Sequence, residues 1–127
     1  MESIKIGEYI YSILSKDERL KAIIGNKIYP IVVEQGTTFP FVVYRRTGLN
    51  SVFTKDLLTG DVVSIEFMCV STTYKESLDI VSRIRDILEG LTDRNKGVSF
   101  VSIDDCSEDY SDDAFIQIIN ITFKTIK

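Results

Sequence analysis

The stretch DVVSIEFMCVS, residues 61–71, has the clearest periodic pattern in the chain. One of its two faces is entirely apolar and consists of Val63, Ile65, Phe67 and Cys69. The opposite face is only partly polar, because Ser64 and Glu66 alternate there with apolar residues. An apolar period of two over this length is typical of a β-strand with one buried face. We therefore predict a strand over residues 61–71 that packs on the core.

A long helix is predicted directly after this strand. Thr73 and Glu76 have the spacing of a capping box, in which both side chains satisfy free backbone N–H groups at a helix start. Apolar residues then recur three and four positions apart, as on one face of a helix: Tyr74, Leu78, Val81, Ile84, Leu88 and Leu91. We expect Asp79 and Arg83 to form a surface ion pair, since they lie four residues apart.

The residues before this strand predict two shorter helices. The first covers residues 4–14, and Ile6, Ile10, Ile13 and Leu14 lie on its apolar face. The second is expected to begin at Ser15, which has capping-box spacing to Glu18, and to end at Gly25-Asn26.

Further strands are predicted on both sides of the long helix. Residues 28–33 are β-prone, although Pro30 limits them to a sheet edge or a strand start. Residues 41–47, 98–106 and 114–124 also have the composition of strands, with Gln117 interrupting an otherwise apolar face of the last. This order of elements predicts one α+β domain over residues 1–127. It has an antiparallel or mixed sheet of about four to five strands, with the N-terminal helices and the long central helix on one face.

Composition argues against several classes of function. The 127 residues include no histidine, which removes the commonest general base and metal ligand, and no phosphate loop or hydrolase motif is present. We therefore predict that the protein is not an enzyme and holds no cofactor or metal. The net charge of −4 disfavours binding of nucleic acid through neutralised phosphates. The N-terminus lacks a signal-peptide pattern and no apolar run is long enough for a bilayer, so we expect synthesis in the cytoplasm with reduced cysteines.

The order of landmarks resembles the tail-completion family that includes the minor tail protein U of lambda-like phages. The resemblance rests on the N-terminal helix, on Ile28-Tyr29-Pro30 after the second helix, on Phe39-Pro40-Phe41-Val42-Val43-Tyr44, and on the later strands and long helix. It implies a small α+β subunit that forms a ring, usually of six copies. Such a ring caps the tail tube, stops its growth and docks to the head connector. The family offers no catalytic residues to transfer.

The leading prediction is thus a tail-terminator or tail-completion subunit. Its expected partners are further copies of itself in a hexamer, the tail-tube protein and the head–tail connector protein, without sequence-specific nucleic acid or a membrane. Its expected location is the virion tail, after assembly in the host bacterial cytoplasm. Two alternatives stay open: a head–tail adaptor or tube-like subunit, and a small non-catalytic ligand-binding or regulatory domain, which would contain a closed apolar pocket.

The connection between Gly48 and Gly60 is the first candidate interface. Hairpin connections commonly take two to five residues, so one of this length needs a reason. It is also unusually apolar, with Leu49, Val52, Phe53, Leu57 and Leu58. Either the two strands extend into it, or it is an assembly arm that buries these residues against a neighbour. Arg45 and Arg46, which point to opposite faces of their strand, are added as candidates for an ion pair between subunits.

The second candidate surface is an acidic segment between the last two predicted strands. Residues 104–113 contain six carboxylates and no basic residue: Asp104, Asp105, Glu108, Asp109, Asp112 and Asp113. Their spacing lacks the regular ligand positions of a calcium loop, so no metal is predicted. The segment is expected to be either a solvated hairpin tip or a functional acidic surface. Such a surface would line a lumen for DNA or pair with a basic neighbour.

Overall fold

The computed structural model describes residues 2–54 and 57–126. Over these residues the chain forms three α-helices, α1 (Ile6–Ser15), α2 (Glu18–Ile24) and α3 (Tyr74–Leu88), and two 3₁₀ helices (Ser3–Lys5 and Arg94–Lys96). The strands are β1 (Ile28–Pro30), β2 (Phe41–Thr54), β3 (Leu57–Ser71), β4 (Val98–Ser111) and β5 (Ala114–Ile126). The predicted α+β class is confirmed. No helix within these residues is long and apolar enough to cross a membrane.

The five strands form one mixed sheet in the order β1-β2-β3-β5-β4. Strand β1 runs parallel to β2, whereas all other neighbours are antiparallel. The strand predicted over residues 61–71 lies at the centre as β3, where Phe67 is opposite Tyr44 of β2 and Ile119 of β5. Phe67 is fully buried, so the alternation predicted from the sequence is correct.

The core lies between one face of this sheet and the helices. Most residues predicted on apolar faces are buried in the core, including Ile10, Leu14, Val63, Ile65, Phe67 and Val81. Ile13 and Leu78 are only partly buried. On α3, Ile80 and Ile84 are fully buried together with Leu88. Ile80, beside the predicted stripe, is thus more deeply buried than Leu78 on it, so the buried face of the helix is shifted slightly towards Ile80.

Thr73 begins α3 as predicted, and its hydroxyl accepts a hydrogen bond from the Glu76 amide at 3.2 Å. The carboxylate of Glu76, however, accepts from the Ser71 hydroxyl at 2.6 Å. The backbone amide of Thr73 donates to that same hydroxyl at 3.3 Å. Ser71 thus takes the place of the reciprocal bond in a capping box and ties the end of β3 to the helix start.

The predicted capping box at Ser15 is wrong. Ser15 is the last residue of α1, and the N-cap of α2 is Asp17, whose Oδ2 accepts from the Leu20 amide at 2.9 Å. The predicted pair between Asp79 and Arg83 is also wrong. Arg83 instead binds both oxygens of Asp17, at 2.7 and 2.8 Å, because a carboxylate fixed by the cap offers a two-point partner. Asp79 pairs with Lys75 at 3.0 Å.

Several strand boundaries differ from the prediction. Residues 48–54 and 57–60 are paired strand, so the prediction of a long connection from Gly48 to Gly60 is wrong. The first alternative, in which the strands extend, describes this backbone. A register shift between Arg46 and Gly48 leaves Thr47 without a partner on β3, and Gly48 itself pairs with Ser64. Strand β4 likewise continues to Ser111, and β1 ends early at Pro30.

Candidate assembly surfaces

The β2–β3 hairpin projects beyond the rest of the sheet. Its strands pair as far as Thr54 opposite Leu57, whereas the described part of β5 ends at Ile126, opposite Gly60. Strand β1 covers β2 only at residues 42–44. Within the described chain, residues 53–54 and 57–59 therefore pair only with each other. We call residues 52–54 and 57–60 the hairpin arm.

The apolar residues predicted for this interface divide into two groups. On the arm, Phe53 is 63% exposed and Val52 is 39% exposed. Leu49, at the base, is partly buried and packs against the core. The backbones of Leu57 and Leu58 belong to β3, but their side chains lie outside the described part of the structure. The arm thus presents an exposed aromatic residue, and Leu49 anchors its base.

The arm leaves the sheet from a closely packed base. A Cβ atom at Gly60 would collide with the backbone carbonyl of Thr125 on β5, so the close approach of these strands requires glycine. Next to it, the amide of Asp61 donates to the Thr125 hydroxyl at 3.2 Å. On the arm itself, the Thr59 hydroxyl donates to the Val52 carbonyl at 3.0 Å. These contacts fix the direction in which the hairpin leaves the fold.

Arg45 and Arg46 lie on opposite faces of β2, as predicted. Arg45 donates from Nε to Glu66 on β3 at 3.0 Å, and its side chain stays 55% exposed. Arg46 lies on the helix side and donates to the carbonyl oxygen of Ile4 at 2.8 Å. Both guanidinium groups therefore have partners within the chain, and both are accessible.

The acidic segment is the outer half of β4 followed by the turn to β5, so the first alternative, a solvated hairpin tip, describes only its last two residues. Only Asp112 and Asp113 form the turn, with φ of 52° and 61°. This geometry fits a two-residue hairpin, and aspartate tolerates it better than most residues. All six acidic side chains are exposed. Because β4 is the edge of the sheet, charged side chains can alternate there without entering the core, and they discourage edge-to-edge pairing.

Several of these carboxylates are held by hydrogen bonds. Asp104 accepts from Thr122 at 2.6 Å, and Asp105 accepts from Asn120 at 2.7 Å. Glu108 accepts from the Tyr74 hydroxyl at 2.7 Å and from Gln117 at 2.9 Å. These bonds lower the pKa of Glu108, and the bond to Glu108 raises the pKa of Tyr74. Hydrogen bonds thus hold three of the six carboxylates, Asp104, Asp105 and Glu108, in place on β4.

No group of three or more acidic or cysteine side chains within the described residues could hold a metal ion. Cys69 is buried, as predicted, and this burial raises the pKa of its thiol. Cys106 is exposed, and partial desolvation raises its pKa as well. Both cysteines therefore favour the neutral thiol, which is a poor nucleophile and metal ligand.

The sequence did not predict two exposed apolar residues beside β1. The β-prone run to residue 33 placed Ile31 and Val32 in a strand, but they are 71% and 70% exposed. Strand β1 ends at Pro30 because Ile31 has a positive φ of 68°. Proline before the pair was the only signal in the sequence that the strand would stop there.

Comparison with known proteins adds two findings to this geometry. Searches of curated protein sequences gave no significant match. A chain of the solved structure described as "Virion of native gene transfer agent (GTA) particle" has the same fold, with a TM-score of 0.78. It is 14% identical and is matched over 92% of its length and 93% of this chain. A family model described as "Tail completion protein gp17" matches residues 8–123. The chain therefore belongs to the tail completion protein gp17 family and has a structural role in completing a phage tail.

Proposed function

We propose that this protein is a non-catalytic tail-terminator subunit that forms a ring on the end of the tail tube and joins it to the head connector. The observation that carries the proposal is the hairpin arm, which projects from the sheet and exposes Phe53. The arm is held at its base by Gly60 and Thr125 on β5. It is therefore a directed protrusion, which suits a contact repeated with the same geometry around a ring.

The energetics support an arm that acts between molecules. Burying a phenylalanine side chain contributes about 1.5–3 kcal/mol, and an isolated chain with Phe53 exposed does not gain it. A contact with a neighbouring copy supplies that burial once per subunit. Arg45 pairs with Glu66 but remains half exposed, seven residues before Val52 along β2, and it can exchange its partner for a carboxylate of a neighbour. Phe53 and Arg45 are thus proposed to contact neighbouring copies at two separate places on the subunit.

We assign the acidic surface of β4 to the lumen of the ring. Asp104, Asp105 and Asp109 are exposed on one edge strand, and the chain as a whole has a net charge of −4. Like charge repels phosphates and keeps DNA from adhering during passage through a narrow ring. A structure of similar fold comes from a virion particle, which supports a location in the virion. We propose that this location is the tail and that the ring assembles in the host cytoplasm.

The experiment is a shortened arm, in which residues 53–59 are replaced by Asn-Gly. This dipeptide favours the two-residue turn that would join Val52 to Gly60. We expect a melting temperature close to that of the wild type, because these residues contribute no described core side chain. Ring formation and capping of purified tail tubes, measured by light scattering and electron microscopy, should be lost.

Two point variants control this experiment. Phe53→Ser removes the exposed aromatic residue of the arm, whereas Phe100→Ser removes one of similar exposure, 45%, on β4. Only Phe53→Ser should reduce capping. Equal capping by both variants and by the shortened arm would refute the proposal. Binding to isolated connectors without binding to tube ends would instead support the adaptor alternative.

A further inference from the structure

A largely apolar groove, whose lining also includes Lys5, Glu8, Arg45 and Arg46, lies on the surface between α1 and the β1 edge of the sheet. It consists of two adjoining cavities of about 590 and 370 Å³ that share Ile4, Gly7, Pro30 and Tyr44. Ile4 and Ile31 line it while remaining 64% and 71% exposed. Isoleucines this accessible beside a recess indicate a surface that another molecule covers. We call this feature the N-terminal groove.

Ile31 is held in a strained conformation at the rim of this groove. Its φ is 68°, and the Val32 amide donates to the Pro30 carbonyl at 2.7 Å across it. This hydrogen bond and positive φ describe a γ-turn of the rare form. Positive φ is unfavourable for a β-branched residue, and asparagine or glycine would adopt it at lower cost. Since Ile31 is exposed, the isolated fold gains little from its side chain, which favours a role in contact with another molecule.

The floor of the groove is open because residue 7 is glycine. The Tyr44 hydroxyl donates to the Gly7 carbonyl at 3.0 Å, which fixes α1 against the sheet. A Cβ at Gly7 would lie 3.7 Å from the Tyr44 ring, at ordinary contact distance. With glycine here, no side chain of this chain covers the surface beside the Tyr44 ring, and a side chain of another molecule can occupy that space.

The hairpin arm cannot reach the groove of its own chain. The Ile31 amide donates to the Tyr44 carbonyl at 2.8 Å, so the groove lies beside Tyr44. Phe53 is nine residues further along β2, a distance of about 30 Å at ~3.3 Å per residue. An apolar protrusion and an apolar recess at distant places on one molecule fit a head-to-tail contact between copies. Contacts of this kind close into a ring when the rotation between subunits permits it.

We propose that the hairpin arm of one copy inserts Phe53 into the N-terminal groove of the next copy, against Ile4 and Ile31. This inference rests on the proposed ring and names the surface that receives the arm. The occupant of the groove is a second copy of this chain, since each subunit has both the exposed aromatic residue and the exposed recess.

Crosslinking tests the contact directly. Val52→Cys on the arm and Val32→Cys beside Ile31 are combined in a Cys106→Ser background, where Phe53 and Ile31 are kept and the remaining Cys69 is buried. A short bifunctional maleimide, applied in the presence of tail tubes, should give a ladder of dimers, trimers and larger species. Each single-cysteine variant should give no ladder. A dimer from Val52→Cys alone would show that arms meet each other, and would overturn the proposal.

A second pair of variants separates strain from assembly. Ile31→Asn should raise the melting temperature by a few degrees, because it relieves the positive φ, yet reduce ring formation at least tenfold. Val32→Asn is the matched control, since Val32 is 70% exposed but does not line the groove. Equal assembly by both variants would overturn the proposal. If wild-type protein caps tubes but no ladder forms, this inference alone fails, whereas wild-type protein that forms no ring contradicts the proposed function as well.

Discussion

Asp17 connects two helices, and its replacement separates two contributions to stability. Its Oδ2 caps α2 through the Leu20 amide, and both of its oxygens bind Arg83 on α3. Asp17→Asn keeps an oxygen for the cap but removes the charge that Arg83 binds. Asp17→Ala removes both. Comparing the two variants with the wild type therefore measures the ion pair and the cap in turn.

The structure sets the expected size of each contribution. An N-cap of this kind contributes about 1 kcal/mol. Charge-assisted bonds typically contribute about 1.5–3 kcal/mol. Arg83 and Asp17 remain 23% and 16% exposed, so solvent screening reduces the contribution of their pair to about 1 kcal/mol. Asp17→Asn should thus lower the free energy of unfolding by about 1 kcal/mol, and Asp17→Ala by about 2 kcal/mol.

The pH dependence gives an independent check. The hydrogen bonds from Arg83 hold the pKa of Asp17 below its usual range. A carboxyl whose folded-state pKa is lowered stabilises the fold above its unfolded pKa of about 3.9, and this stabilisation is lost as the pH falls through the folded pKa. The difference between wild type and Asp17→Asn should therefore be constant near pH 7 and shrink below about pH 4.

Urea unfolding monitored by circular dichroism measures these differences. With a slope near 2 kcal/mol per molar urea, a loss of 1 kcal/mol shifts the midpoint by about 0.5 M. An Asp17→Asn variant as stable as the wild type at pH 7 would refute the ion-pair argument. A deficit of unchanged size in acid would show that the lost stability does not come from the charge.

Three further substitutions test the sheet. Phe67→Ala should cost about 3–5 kcal/mol in urea unfolding, because Phe67 is fully buried at the centre of the sheet, and a cost below 1 kcal/mol would contradict its packing. Gly60→Ala should cost about 1–3 kcal/mol, because its Cβ collides with the carbonyl of Thr125, and an unchanged melting temperature would argue against that close approach. Replacing Asp112-Asp113 with Asn-Gly should raise stability by up to about 1 kcal/mol, since both positions have positive φ, and a lower melting temperature would refute the turn geometry.

The parts of the fold that the sequence predicted are those in which side-chain period and burial agree. Strand β3 alternates over its buried length, and Thr73 is a cap whose partner lies three residues away. Strand β4 was truncated in the prediction because its acidic residues looked like a turn. An edge strand tolerates that composition, since its side chains stay in water, and a register shift between Ile103 and Asp105 also breaks the alternation.

The proposed interface was accessible to sequence reasoning only in part. The sequence identified Val52 and Phe53 because apolar residues in a long connection suggest that the connection is buried against a neighbour. They did not reveal that the segment is a paired hairpin, which depends on the register of β2 and β3. Ile31 was missed for a different reason. Its exposure follows from a backbone conformation that isoleucine rarely adopts, so the residue type did not predict that Ile31 would be exposed.

Strand pairing in the hairpin arm limits the changes in arm length that evolution can make. Added residues beyond Val52 and Gly60 meet no third strand among the described residues, so insertions there leave the core untouched. Adding one residue to each strand extends the reach by about 3.3 Å but turns the tip residues to the other face, whereas adding two to each restores the original face. An insertion in one strand alone needs a bulge, as already found between Val52 and Phe53. Relatives whose neighbours are spaced differently should therefore differ here by four residues at a time.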